Sequence, residues 1–154
     1  MTADASQYLA FIVGGQLCGL PVLEVREVLR SLPPLAAVPC APRGVSGVTN
    51  LRGRIAAAVS LRECLGFAAA QEQGAEAVVI ENKGELYCLA VDAVRGVLSF
   101  DAPLAPAPAT LQGRWREVVT GVCRLENGLL AVLDAAGLIE GLGRNNEEEN
   151  PQEG

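Results

Sequence analysis

Gly15-Gln16-Leu17-Cys18-Gly19-Leu20-Pro21-Val22-Leu23-Glu24-Val25-Arg26-Glu27-Val28-Leu29 can be laid without a gap on Gly84-Glu85-Leu86-Tyr87-Cys88-Leu89-Ala90-Val91-Asp92-Ala93-Val94-Arg95-Gly96-Val97-Leu98. The spacing is a constant 69 residues, and eight of the fifteen positions are identical. Gly47-Val48 then answers Gly121-Val122, and Gly53 answers Gly128 once one residue is inserted. The chain therefore reads as two copies of one unit. Each copy consists of short apolar runs bounded by Gly, Asn and Pro, the pattern of strands joined by tight turns. A unit of about 60 residues buries only about 60% of its unfolded surface, so two such units are expected to pack together. Short curved sheets avoid exposed edges by closing into barrels. The expected fold is all-β, with two packed barrel lobes and a groove between them as the default binding site.

Working outward, residues 8–13 and 16–22 form a hairpin across Gly14-Gly15, and residues 23–28 a helical turn that leads into a strand through Leu29. Pro33, Pro34, Pro39 and Pro42 mark a loop at a sheet edge. The run from Gly44 to Ile55 is a further hairpin that continues through Val59 and Leu61; residues 62–65 form one helical turn stopped by Gly66. In the second half, residues 77–80 pair with 86–91 across Asn82-Lys83-Gly84, and residues 94–100 form a strand. An extended loop at 102–109 follows, and 118–125 pairs with 129–133 across Glu126-Asn127-Gly128. Residues 134–142 make a short C-terminal helix with Asp134 as N-cap. The polar stretch Gln71-Glu72-Gln73-Gly74 divides the lobes, placing one at about 7–70 and the other at about 75–142, with exchange of the termini between them allowed. The domain ends near residue 144, and residues 145–154 read as a disordered acidic tail.

Half of the 154 residues are hydrophobic but only six are aromatic, so the core must be aliphatic. The net charge of −6 is concentrated in the tail, where Glu147, Glu148, Glu149 and Glu153 leave a nearly neutral body. That balance is a poor match for nucleic acid or an anionic membrane surface. Cys18, Cys40, Cys64, Cys88 and Cys123 are evenly spread without a Cys-x-x-Cys pair, which excludes the usual zinc spacing. Cys18, Cys88 and Cys123 sit in apolar strands and read as small core residues. No signal peptide and no apolar run near the ~18 residues of a membrane span is present, so a cytoplasmic location with reduced thiols is expected. The chain has no histidine, which removes most nucleophilic and metal-histidine catalytic designs. The expectation is a protein that is no enzyme and holds no metal or cofactor.

Where the copies disagree, function has room. Glu27 corresponds to Gly96, and Arg52 has no basic counterpart near Glu126. Within the Gly44 hairpin, Asn50 and Gly53 are expected to take positive φ, leaving Arg52 at the turn with reach to a neighbouring strand. A Glu27–Arg52 pair is then either a solvated ion pair worth about 0–1 kcal/mol or the element that shapes a docking surface. Arg26, Arg30, Arg43, Arg52, Arg54 and Arg62 hold half the basic residues within 37 positions, read as ordinary surface before an acidic-partner site. Trp115, in a loop, is expected to cap a barrel end ahead of anchoring a partner.

Four runs carry a family resemblance: Val25-Arg26-Glu27-Val28, Gly47-Val48-Thr49-Asn50-Leu51-Arg52-Gly53, Leu89-Ala90-Val91-Asp92-Ala93-Val94 and Leu129-Leu130-Ala131-Val132-Leu133-Asp134. In these the chain resembles the CheW family of chemotaxis adaptors, and the second run is the most specific. The resemblance implies two five-stranded, SH3-like β-barrels packed side by side. It also implies a scaffold that couples the cytoplasmic hairpin tip of a chemoreceptor to the regulatory domain of the histidine kinase CheA, placing the protein at the membrane-associated receptor array through its partners. On matching positions, Val25, Glu27, Val28, Leu51 and Arg52 become receptor-side residues, with Val97 and Leu98 as additions, while Gly47, Asn50 and Gly53 shape the hairpin. The barrel ends would meet the kinase. Ala57 and Ser60 depart from the family pattern, which has a proline and an aspartate there. The alternative from another class is a small-molecule sensor, binding module or enzyme that uses the groove; a nucleic-acid-binding double barrel is disfavoured by the few aromatics and the acidic balance.

Overall fold

Three β-hairpins turn on paired residues with positive φ: Gly14 (59°) and Gly15 (82°), Arg52 (54°) and Gly53 (87°), Lys83 (54°) and Gly84 (83°). A two-residue turn of this hand matches the right-handed twist of the strands it joins. The computed structural model describes residues 6–68, 74–109, 111, 113–126 and 128–142. The tail and most of the Gln71–Gly74 boundary lie outside the described residues. The strands are β1 (Ser6–Val13), β2 (Gln16–Pro21), β3 (Val25–Leu29), β4 (Val45–Leu51), β5 (Arg54–Ser60), β6 (Glu76–Asn82), β7 (Glu85–Val91), β8 (Ala93–Phe100), β9 (Val119–Leu125) and β10 (Gly128–Leu133). Three short helices, α1 (Leu61–Cys64), α2 (Arg114–Val118) and α3 (Ala135–Glu140), and a 3-10 turn at Val22–Glu24 complete them.

Among the described residues ten strands form two five-stranded sheets, ordered β8-β1-β2-β10-β9 and β3-β6-β7-β5-β4. The second sheet is contiguous in sequence, from β3 to β7; the first takes β1 and β2 from the N-terminal end and β8 to β10 from the C-terminal end. In terms of the repeat, each sheet combines the first hairpin of one copy with the last three strands of the other. The two parallel contacts, β10 with β2 and β5 with β7, join pieces from different copies. Registers obey the repeat: Glu27 lies opposite Val79 as Gly96 lies opposite Ala10, each next to a bulge. The physical reason is edge pairing, since a lone hairpin leaves unpaired backbone groups that the other copy supplies.

Alternation along the strands sorts the core into three layers. The largest lies between the sheets and includes Leu9, Phe11, Leu20, Val59, Val78, Leu89, Val91 and Leu138. The other face of the second sheet packs Ala56, Ala58, Ala77, Cys88 and Ala90 with Leu32, Val79 and Leu86. The other face of the first packs Tyr8, Ala10, Cys123, Leu130 and Val132. Trp115 departs from expectation: it belongs to α2 rather than a loop, and its ring meets Phe67 edge-on at 6.1 Å beside the central layer.

One close approach recurs in both sheets. Ala36 bridges to Val48 and Ala105 to Val122, so an extended segment crosses β4 and β9 at equivalent places. A Cβ on Gly47 would lie 2.7 Å from the Ala36 carbonyl oxygen, and one on Gly121 2.9 Å from that of Ala105. Gly47 thus makes room for this crossing from within β4, at the bulge in its pairing with β5. Replacing Gly47 by Ala is expected to cost about 1–3 kcal/mol, with a similar loss for Gly121→Ala, read as a lower midpoint in urea denaturation.

The buried thiols make a second prediction. Burial pushes Cys18 from 9.0 up to about 12. It pushes Cys88 from 9.0 to about 11, with a smaller contribution from the Glu27 charge. Below pH 9 both thiols are neutral whether folded or unfolded, and their contribution to stability is fully present. As pH rises from 9 towards 11–12 the unfolded chain ionises first, so stability must fall. Melting temperature measured between pH 8 and 10.5 should decline, and Cys88→Ala should reduce that slope. At neutral pH a thiol reagent should label Cys40, which is exposed, well ahead of the four buried cysteines.

Candidate functional site

The β4–β5 hairpin positions Arg52 by backbone conformation. Arg52, and not Asn50 as expected, takes positive φ beside Gly53. Asn50 remains in β4 opposite Ile55, and its Oδ1 accepts a hydrogen bond from the Gly53 N–H at 2.9 Å. The amide steadies the turn from the strand, as Asx side chains do. The left-handed conformation sends the Arg52 side chain off the turn to Glu27 of β3, where Nη1 donates to Oε1. Strands β3 and β4 are the two edges of their sheet, so this contact draws opposite edges together.

Glu27 owes its direction to the bulge. Arg26 is skipped in the pairing of β3 with β6, so Val25 and Val28 pack on the central layer. Glu27 and Leu29 fall on the other side, with Val79 and Ala77. The Glu27 side chain is 24% exposed against 72% for Arg52. Its Oε2 is buried without a hydrogen-bond partner among the described residues. A half-satisfied carboxylate above a floor of alanines and Cys88 has Arg52 as its one charged partner among the described residues.

The predicted receptor-side residues therefore fall in three places. Glu27, Leu51 and Arg52 share one end of the second sheet, where Leu51 packs with Leu29 on the alanine-rich layer. Val25 and Val28 lie on the inter-sheet face of β3. Val97 and Leu98 belong to β8, the edge of the first sheet, and are 51% and 36% exposed. Opposite Leu9, Val97 shares the inter-sheet side, as its repeat equivalent Val28 does. Leu98 is opposite Tyr8 on the other side.

The clustered arginines are largely neutralised in place. Arg26 meets Glu81 at 2.6 Å, Arg54 approaches the same carboxylate at 3.8 Å, and Arg62 meets Asp92 at 2.9 Å. This favours the ordinary-surface reading. Sequence reasoning missed four exposed large apolar side chains among the described residues, Leu23 (95%), Val38 (38%), Ile55 (66%) and Leu129 (36%). Ile55 and Leu129 occupy the second position of β5 and β10 and are equivalent by strand pairing, which sets Gly128 against Arg54 and not against Gly53 as the sequence comparison places it. The uniform apolar run Ile55-Ala56-Ala57-Ala58-Val59 hides which face each residue takes.

Two departures from the family pattern find physical substitutes. Ser60 is buried and caps α1, its Oγ accepting from the Glu63 N–H at 3.2 Å, the task an aspartate would perform. Ala57 lies beside Tyr87 in the parallel β5–β7 pair, so a larger ring stands next to the small residue. Among the described residues no group of three potential metal ligands occurs, and no helix is long and apolar enough to cross a membrane.

Known proteins share the sequence family and the fold. The family model for the CheW-like domain matches residues 7–142. Chemotaxis protein CheW of Rhizobium meliloti (strain 1021) is 29% identical over 136 residues, covering 87% of each chain. That of Klebsiella aerogenes is 29% identical over 135 residues, covering 86% of this chain and 81% of the relative. The crystal structure of scaffolding protein TtCheW from Thermoanaerobacter tengcongensis superposes with a TM-score of 0.78 at 23% identity, covering 92% of this chain and 97% of that one, a likeness of fold. With the duplicated two-sheet architecture and a family match across nearly all described residues, this chain belongs to the CheW-like domain family.

Proposed function

We propose that this chain is a non-enzymatic adaptor that couples the cytoplasmic hairpin tip of a chemoreceptor to the regulatory domain of a CheA-type histidine kinase. Membership of the CheW-like family supports the scaffold reading, as do the names carried by its relatives. The observation that carries the docking role is the Glu27–Arg52 pair, which breaks the internal repeat and joins the two edges of one sheet. Its direct contribution to stability is small because Arg52 is mostly solvated. Its geometric effect is larger, since it holds a guanidinium, one carboxylate and Leu51 at a single sheet end.

In this reading Val25, Val28 and Val97 supply apolar contact for receptor helices along the two edge strands, and Glu27 with Arg52 supplies polar registry. Leu98 and Leu51 extend that surface. Ile55 and Leu129, exposed at equivalent ends of the two sheets, are assigned to the kinase, whose regulatory domain has a similar two-barrel build. Specific interfaces place such apolar residues at their centres and polar residues at the rim. The protein would reach the membrane-associated array through these partners, from the cytoplasm.

Arg52→Glu places two carboxylates together and should weaken binding of a receptor cytoplasmic fragment at least tenfold while far-UV circular dichroism stays unchanged. Arg52→Gln should give an intermediate loss. Pull-down with the kinase regulatory domain should survive both substitutions and fail with Ile55→Asp. If Arg52→Gln binds receptor fragment as the native chain does, the docking role of the pair is lost. A metabolite that raises the melting temperature, with no kinase or receptor captured, would favour a sensor instead.

A further inference from the structure

The chain crosses between the two sheets twice, at Val22–Glu24 and at Asp92, and the repeat places Leu23 and Asp92 at equivalent positions. The two crossings are built differently. Leu23 leaves its side chain 95% exposed. Asp92 is held from three directions: its N–H donates to the Ile12 carbonyl at 2.9 Å, and its Oδ2 accepts from the Gly14 N–H at 2.8 Å and from Arg62 Nη1 at 2.9 Å. Ile12 and Gly14 belong to β1 and its turn in one sheet, and Arg62 to α1, which follows β5 of the other.

Arg62 is itself fixed. Its Nε donates to the Ala68 carbonyl at 2.8 Å, and its guanidinium stands 5.8 Å from the centre of the Phe67 ring. That ring closes over Gly14, where a Cβ would lie only 2.5 Å from it. The inter-sheet layer is apolar; its burial is non-directional and its packing confines the angle between the sheets only to a broad range. Hydrogen bonds and a charged pair narrow it, because they fail when donor and acceptor turn apart. Arg62 and Asp92 are 28% and 32% exposed, partly screened from the solvent that weakens open surface pairs.

We propose that Asp92 is a positioning residue: with Arg62 and the Gly14 amide it latches one crossing between the sheets and so aligns β8, with Val97 and Leu98, against the β3 residues Val25 and Val28. This rests on the receptor-docking reading above and adds the device that keeps its two halves in register. Asp92 touches no partner itself and acts through the strand that begins at the next residue.

The test uses the full chain, labelled for nuclear magnetic resonance, with residual dipolar couplings fitted sheet by sheet. In Asp92→Ala each sheet should keep its own couplings while the angle between the two alignment frames changes. Arg62→Ala should give the same change, and the double variant no more than either alone, because one latch is broken in all three. Affinity for a receptor cytoplasmic fragment should fall roughly tenfold, with kinase regulatory-domain binding retained. Asp92→Asn, which keeps an acceptor for Gly14 but loses the charge, provides a milder variant with a smaller change in the same direction. An unchanged angle between the sheets in both Asp92 variants overturns the latch. A changed angle with undiminished receptor affinity leaves the latch standing and overturns the docking reading.

Discussion

Two parallel strand pairs, β5 with β7 and β2 with β10, hold this protein together as one body. Each pair joins the first hairpin of one copy of the repeat to the last hairpin of the other. Without them a copy would end in open sheet edges, and an isolated hairpin is marginal in water. The inter-sheet layer, the crossings at Val22–Glu24 and Asp92, and the glycine at each close approach all follow from this exchange. Gly47 and Gly121 stay small because the returning segments at Ala36 and Ala105 must cross β4 and β9 in direct backbone contact.

Against that near-symmetry, the differences between the copies stand out chemically. Glu27 occupies the bulge position held by Gly96 in the other sheet, and Asp92 the crossing held by Leu23. Both acids find an arginine, Arg52 and Arg62, on a neighbouring element. With Arg52 mostly solvated, the Glu27–Arg52 pair adds little to folding free energy, so its value lies in direction. It fixes which side chains stand together at a surface that otherwise offers apolar residues of no defined polarity.

The core shows how much freedom a repeat of this kind leaves. One sheet packs alanines and Cys88 where the other packs Tyr8, Cys123 and Leu130. The alanine-rich layer leaves room for part of the Glu27 carboxylate, and the same burial raises the Cys88 thiol. Ser60 in place of an aspartate costs the short helix α1 no cap, since the hydroxyl accepts the Glu63 amide. Local substitutions are absorbed because strand alternation and edge pairing, and not single contacts, carry the architecture.

The sequence by itself determined the all-β class, the duplication, the turns at Gly14-Gly15 and Lys83-Gly84, and the Glu27–Arg52 partnership. These are local or periodic signals, readable from φ-permissive residues, strand alternation and one comparison at fixed spacing. It pointed to Asn50 where Arg52 takes the turn, and to a loop where Trp115 lies in α2, because single-residue conformations answer to neighbours distant in the chain. Which hairpin joins which sheet, that Val25 and Val28 face away from Glu27, and that Asp92 meets Arg62 were decided only in three dimensions. Pairing across 30 or more residues is chosen by edge satisfaction and layer packing, which no local pattern encodes.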